Sequence, residues 1–192
     1  MNNEYDHIKD YVKKSVGDEE TQSLISDFAI LWNEYEDELY FKGHHIKSIP
    51  KMINRLRING MYASKIEKMH KKLVTYIESR GEYSYEGLVS GYNILIKVPL
   101  TDDYGNIKKY DNGDIVYTGE IFEEDFKRIM NSTSFTDKLY FMLLIVARVR
   151  NNMFHGLKGI SDLKYQKDLF MICNEILKMV LDIKRKGWII YV

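Results

Sequence analysis

The stretch Leu143–Gly159, LLIVARVRNNMFHGLKG, decides the reading of this chain. It opens as an apolar helical run containing Leu143, Val146, Ala147 and Val149. That run gives way to Arg150-Asn151-Asn152-Met153-Phe154-His155 and then meets Gly156 and Gly159. A glycine just past a periodic segment signals a helix C-terminus, because glycine takes the left-handed cap conformation at little cost. A strong base, an amide and an imidazole therefore collect where a core helix stops. Chemistry can be presented there instead of being lost on a solvated face.

Working outward, Ser134 with Asp137 three residues on makes a good start for this central helix. Phe135, Leu139, Met142, Val146 and Val149 fall on one face, and Arg150 lies beside it. A permanently charged group in that position is costly unless it is paired. A helix over Glu20–Lys42 is predicted from the stripe Leu24, Phe28, Leu31, Trp32, Tyr35 and Leu39. A second, Met61–Arg80, carries Ile66, Met69, Leu73, Val74 and Ile77, with His70 beside that stripe as a packed histidine. A last helix, Ser161–Lys186, buries Leu169, Ile172, Cys173, Ile176, Leu177, Val180 and Ile183. Shorter helices are expected near Pro50–Ile58 and Glu120–Met130, and residues 1–19 are only loosely periodic.

Between Gly81 and Gly119 the pattern weakens. Tyr83–Val98 suits a helix or a strand, with Gly87 and Gly91 against either. IKKY and DIVY flank Asp111-Asn112-Gly113, which predicts a β-hairpin over Ile107–Thr118 on a favoured Asn-Gly turn. WIIYV at Trp188–Val192 has strand composition. No internal repeat is expected. The fold class read from these elements is all-α, a single domain over 1–192 with a small hairpin insertion at 99–119.

Composition narrows the function. With 192 residues, 45% of them hydrophobic and 29% charged, the chain suits one ordinary globular domain. Cys173 is the only cysteine, which excludes a disulfide framework and a cysteine zinc site. The polar start MNNEYDHIKD lacks a signal-peptide core, and no apolar run approaches the ~20 residues that span a bilayer. A cytoplasmic protein without membrane contact is expected. His44 and His45 have no metal-spaced companions and read as loop residues. The Asp-rich pieces at Asp102-Asp103 and Asp111–Asp114 lack the order of a calcium loop. Gly156–Gly159 lacks phosphate-loop spacing. Neither metal nor cofactor is expected.

Charge is unevenly spread although the net is zero. Residues 1–41 carry three basic against eleven acidic side chains, and residues 42–80 ten basic against two acidic. The first segment is thus at −8 and the second at +8. Such asymmetry fits a polyanionic partner, or two solvated faces that neutralise each other in the fold.

The Arg–His cluster resembles the HEPN superfamily, whose signature is Arg, a polar residue, three variable residues and His in a small helical domain. Arg150, Asn151 and His155 stand at those positions, in the third of four long helical patterns. The resemblance covers about Gln22–Lys186, except for the insertion. It implies a HEPN-like four-helix bundle and a metal-independent endoribonuclease with Arg150, His155 and Asn151 as catalytic residues. Glu36 and Asn152 are supporting candidates, and Lys65, Lys68, Lys71, Lys72 and Lys158 are candidates for holding RNA. Glu36 reads more readily as a boundary carboxylate facing water than as a site residue.

Cleavage of RNA suits these residue types. The 2′-hydroxyl is an internal nucleophile, so protons must move and charge must be neutralised. Histidine, with a reference pKa of ~6.5, exchanges protons near neutrality. Arginine donates paired hydrogen bonds to phosphate oxygens and stays charged. HEPN ribonucleases are commonly dimers, so the resemblance implies a homodimer whose two copies of Arg150 and His155 share one cleft. It also implies a toxin, abortive-infection or antiviral setting, with an antitoxin or defence partner protein. Leu157, two residues after the histidine, is not the tyrosine of the toxins paired with minimal nucleotidyltransferases. On spacing alone, Arg150 reads as an ion-paired core arginine. Two other classes therefore stay open: a catalytically silent domain that binds nucleic acid or nucleotide, and a helical partner in a two-gene complex.

Overall fold

Asp18 starts the first helix by chemistry that a helix end requires. The first N–H groups of a helix have no partner within it, and a side-chain oxygen at the cap supplies one. The Asp18 carboxylate accepts from the backbone N–H of Glu20 (3.3 Å) and of Thr21 (3.1 Å), and from the Thr21 hydroxyl. These bonds hold its carboxyl below the usual carboxylate range. The helix that follows, α1, spans Glu19–Leu39. In this computed structural model the described residues are 18–39, 49, 53, 60–79, 98–118, 121–154 and 166–186.

Four further helices are described: α2 (Gly60–Ser79), α3 (Glu123–Met130), α4 (Phe135–Phe154) and α5 (Lys167–Arg185). The expected short helix near Pro50–Ile58 falls mostly outside the described residues. Ile49 and Ile53, which are described, are helical and buried. Residues 1–17, the run 80–97, and Trp188–Val192 also lie outside them. The described part of the chain is mainly helical, as the all-α expectation has it. No helix among the described residues is long and apolar enough to cross a membrane.

The helix α4 is the centre of the packing. Every residue from Phe141 to Val149 is buried. A helix apolar all round is one that neighbours enclose, whereas the expected single stripe describes a helix lying on a surface. The helices α2, α3 and α5 pack on it, and α5 also packs on α1 and α2. Phe135, expected in the core stripe, is instead 41% exposed because it sits in the first turn, outside the enclosed length. The cap is as expected: the Asp137 N–H donates to Ser134 Oγ (3.5 Å). The Asp137 carboxylate turns outward and accepts from Ser132 Oγ (2.7 Å).

The helix α5 reconciles the opposite charges of the first two long helices. On its α1 side, Arg185 donates to Glu34 (2.7 Å) and Glu38 (2.7 Å), and Lys167 pairs with Glu20. Asn174 Nδ2 donates to the Leu24 carbonyl (2.9 Å) on the same side. Facing α2, Glu175 accepts from Lys72 (2.8 Å), and Asp182 accepts from the Tyr62 hydroxyl (3.1 Å) and pairs with Lys65 (3.6 Å). Each exposed pair contributes only ~0–1 kcal/mol. Their arrangement puts carboxylates of the −8 segment and lysines of the +8 segment against opposite charges on α5.

Residues 98–118 fold as two consecutive hairpins. The strands β1 (Val98–Pro99) and β2 (Tyr117–Thr118) pair antiparallel, with bridges Thr101↔Ile107 and Lys109↔Ile115 between them. In the first turn Gly105 N–H donates to the Asp102 carbonyl (3.0 Å), and Asp102 N–H to the Asn106 carbonyl (2.9 Å). In the second, Gly113 N–H donates to Tyr110 (2.9 Å) and Tyr110 N–H to Asp114 (2.8 Å). The second turn lies where Asn112-Gly113 suggested one, but with a different geometry. Only the glycines have positive φ, 84° at Gly105 and 88° at Gly113. A two-residue Asn-Gly turn would need positive φ at the asparagine as well. Each turn is the three-residue kind closed by a glycine bulge.

These turns expose an eight-residue repeat, TDDYGNIK (101–108) and KYDNGDIV (109–116), which corrects the expectation of none. Its period shows in the backbone. Lys108 N–H donates to Leu100, Leu100 N–H to Val116 and Val116 N–H to Lys108, at 2.8, 2.8 and 3.0 Å.

Candidate active site

The last turns of α4 carry the candidate residues. Arg150 is half-buried, and its guanidinium carbon lies 5.9 Å from the centre of the Trp32 ring on α1. Arginine over an indole face is a favourable cation–π arrangement. Nη1 of Arg150 donates to Asn151 Oδ1 at 3.3 Å. A ring face and an amide oxygen thus contact the planar fork. Trp32 is itself buried, with its ring 5.3 Å from that of Tyr35.

The two central residues of the expected motif, Arg150 and Asn151, are therefore together, at the end of the buried helix. His155 and Lys158 lie outside the described residues, as does the side chain of Asn152. Glu36 is half-buried on α1, one turn beyond Trp32, and makes no hydrogen bond or ion pair among the described residues. Cys173, the sole cysteine, is fully buried, and burial pushes its thiol well up, which removes it as a nucleophile at neutral pH. Among the described residues, no group of three His, Cys, Asp or Glu could hold a metal ion.

Arg148 escaped the sequence reading. It is 0% exposed and the largest fully buried side chain described. Burial pushes its pKa down to about 10, so it remains charged at neutral pH. Two residues are about 200° of helix turn, so Arg148 and Arg150 leave α4 in nearly opposite directions. They cannot act as one clamp. The signal was present in the sequence: an arginine within LLIVARV, where apolar residues surround it on every side.

The candidate RNA-holding lysines divide. Lys65 and Lys72 are engaged with α5. Lys68 and Lys71 are exposed on the outer side of α2 and make no ion pair among the described residues. If α2 holds RNA, Lys68→Gln with Lys71→Gln is expected to flatten the dependence of affinity on salt. The change should be about 0.7 in log–log slope per lost contact with a single strand. Lys65→Gln with Lys72→Gln should change the slope less, because those ammonium groups already have carboxylate partners. Filter binding of a short oligoribonucleotide across a salt series measures both.

A separate polar cluster joins α2 to α4. Lys138, 7% exposed, forms an ion pair with Glu67 and lies 5.8 Å from the Phe135 ring centre. His70, also 7% exposed, packs edge-on to Phe141 at 5.4 Å, and its Nε2 is buried with no hydrogen-bond partner. Burial first, and the Lys138 charge second, hold the His70 pKa below its ordinary 6.5. A base whose folded pKa is depressed takes up its proton more readily when unfolded. Its contribution to stability is therefore complete above pH 6.5 and is lost as pH falls from there through the folded pKa. The melting midpoint is expected to drop in that window. His70→Gln should remove the drop, while the Glu67 contribution, lost only below pH 4.5, should persist.

The chain matches no protein-family model, no curated protein and no solved structure.

Proposed function

We propose that the protein is a HEPN-like ribonuclease of the four-helix type, which cleaves RNA through the 2′-hydroxyl without a metal ion. The observation that carries this reading is the ordered Arg150–Asn151 pair at the end of the central helix, seated on Trp32. His155 follows five residues after Arg150 in sequence. In the proposed reaction the 2′-oxygen attacks phosphorus and gives its proton to an imidazole. The bond from phosphorus to the 5′-oxygen breaks, and that oxygen receives a proton. Arg150 neutralises the extra charge on the phosphoryl oxygens, and Asn151 orients it. One imidazole is a thin supply for two proton transfers, so two copies of the chain share the cleft in this reading. A toxin or antiviral-defence setting is the biological role that goes with it.

The test is cleavage of an oligoribonucleotide in EDTA, with the ends identified by mass. Products with a 2′,3′-cyclic phosphate and a 5′-hydroxyl are expected. A substrate with 2′-deoxyribose at the cut position should resist, and equal cleavage of it would sink the mechanism. One observation favours the second reading, a helical interaction partner: Lys65 and Lys72 are spent on α5 and are less available to phosphate.

A further inference from the structure

His70 is the only histidine among the described residues, and three helices meet at its ring. It is carried by α2, and Phe141 of α4 lies edge-on to it at 5.4 Å. The backbone carbonyl of Met130, the last residue of α3, accepts a hydrogen bond from the ring. Phe141 also meets Phe126 of α3, with ring centres 5.5 Å apart. The end of α3 therefore closes over the imidazole and over the phenyl ring beside it.

A proton added to this ring finds a costly place. Nε2 is buried without a hydrogen-bond partner, and a charge taken out of water is disfavoured. The charged groups that face the ring are Lys138 of α4, which repels a proton, and Glu67 of α2, which attracts one. Glu67 already holds Lys138 in an ion pair, so its attraction is shared. From α3 comes only the Met130 carbonyl, which favours the proton but is outweighed by burial. The imidazole thus takes its proton more readily once water reaches it.

Of the three helices, α3 has the least to hold it. It is eight residues long, and its buried residues are Phe126 and Ile129. A helix of that length is not stable alone in water. By contrast, α2 is tied to α5 through Tyr62, Lys65 and Lys72, and α4 is enclosed from Phe141 to Val149. Elements with few buried apolar groups open first.

We propose that the end of α3 is a proton-operated latch. On acidification it lifts from α2 and α4 and uncovers the His70 ring, while the long helices stay packed. The latch stands without the ribonuclease reading.

Amide hydrogen exchange of the full chain between about pH 5 and pH 7 tests it, after correction for the intrinsic pH dependence of exchange. Glu67 stays ionised throughout that window. The amides of Ile129, Met130 and Asn131 should be less protected than those of α5, because α3 opens without the rest. Their protection should fall as pH drops from 6.5 through the pKa of the closed state. The fall should reach at most about tenfold per pH unit, the limit for one linked proton. His70→Gln, which does not titrate, should abolish the dependence. Lys138→Met removes the repelling charge and should shrink it, and this variant decides the matter if His70→Gln does not fold. Protection in α3 that ignores pH overturns the proposal. So does protection in α3 equal to that in α5, since the chain would then open only as a whole. A dependence that persists unchanged in either variant assigns the proton to another group and overturns it as well.

Discussion

If the proposed ribonuclease reading holds, His155→Ala is expected to lower RNA cleavage by about 10²- to 10⁴-fold, the usual cost of losing a positioned proton-transfer group. The expectation rests on the division of labour at the end of α4. In the proposed reaction Arg150, placed beside Trp32 and Asn151, neutralises charge on the phosphoryl oxygens. Proton transfer is left to an imidazole, and His155 is the one that the motif places nearby in sequence. The melting temperature should change little, the usual result for a polar side chain that the sequence puts at a helix end. Arg150→Lys is the finer comparison. It keeps the charge but loses the planar fork, so activity should still fall substantially. Cleavage that survives His155→Ala while Arg150→Ala unfolds the chain would make the cluster structural, and the helical-partner reading would take over.

The long helices were legible because their apolar stripes recur at the helical period, and the start of α4 carries a capping residue as well. Ser134 illustrates this: hydroxyl, spacing and following run all agreed, and the helix begins at Phe135. Other features depend on tertiary placement and were not legible. A single stripe was expected on α4 because periodicity finds the strongest face, yet Phe141–Val149 is enclosed on all sides. The lysines of α2 read as one basic row, but α5 claims Lys65 and Lys72 with Glu175 and Asp182. The eight-residue repeat was obscured because its equivalent positions differ in type, Asp102 with Tyr110 and Tyr104 with Asn112. Asp103 with Asp111, the glycines and the isoleucines keep the register; at the last two the bulge needs positive φ and the bridge needs an extended residue. At the site, residue types were legible, whereas the seat of Arg150 on Trp32 required two helices far apart in sequence to meet.

Arg148 provides the second large effect. Its guanidinium is 0% exposed, and burial pushes its pKa down to about 10 from 12.5. The two values correspond to roughly 3 kcal/mol against burying the charged form. At neutral pH the group is protonated both folded and unfolded, so this cost is constant there and becomes pH-dependent only above about pH 10. Arg148→Ala removes the charge but empties a large volume, and changes of that kind cost about 2–5 kcal/mol. Arg148→Met keeps most of the volume but gives up the guanidinium's interactions, so it should lose less stability than Arg148→Ala. Chemical denaturation of the three proteins measures the order, and Arg148→Ala is expected to be the lowest. If Arg148→Met is as unstable as Arg148→Ala, the charge itself holds α4 in place, and the arginine is structural. If Arg148→Met is stable yet loses RNA cleavage, a charge costly to bury is being kept for function. The active site would then extend from the end of α4 into its buried middle.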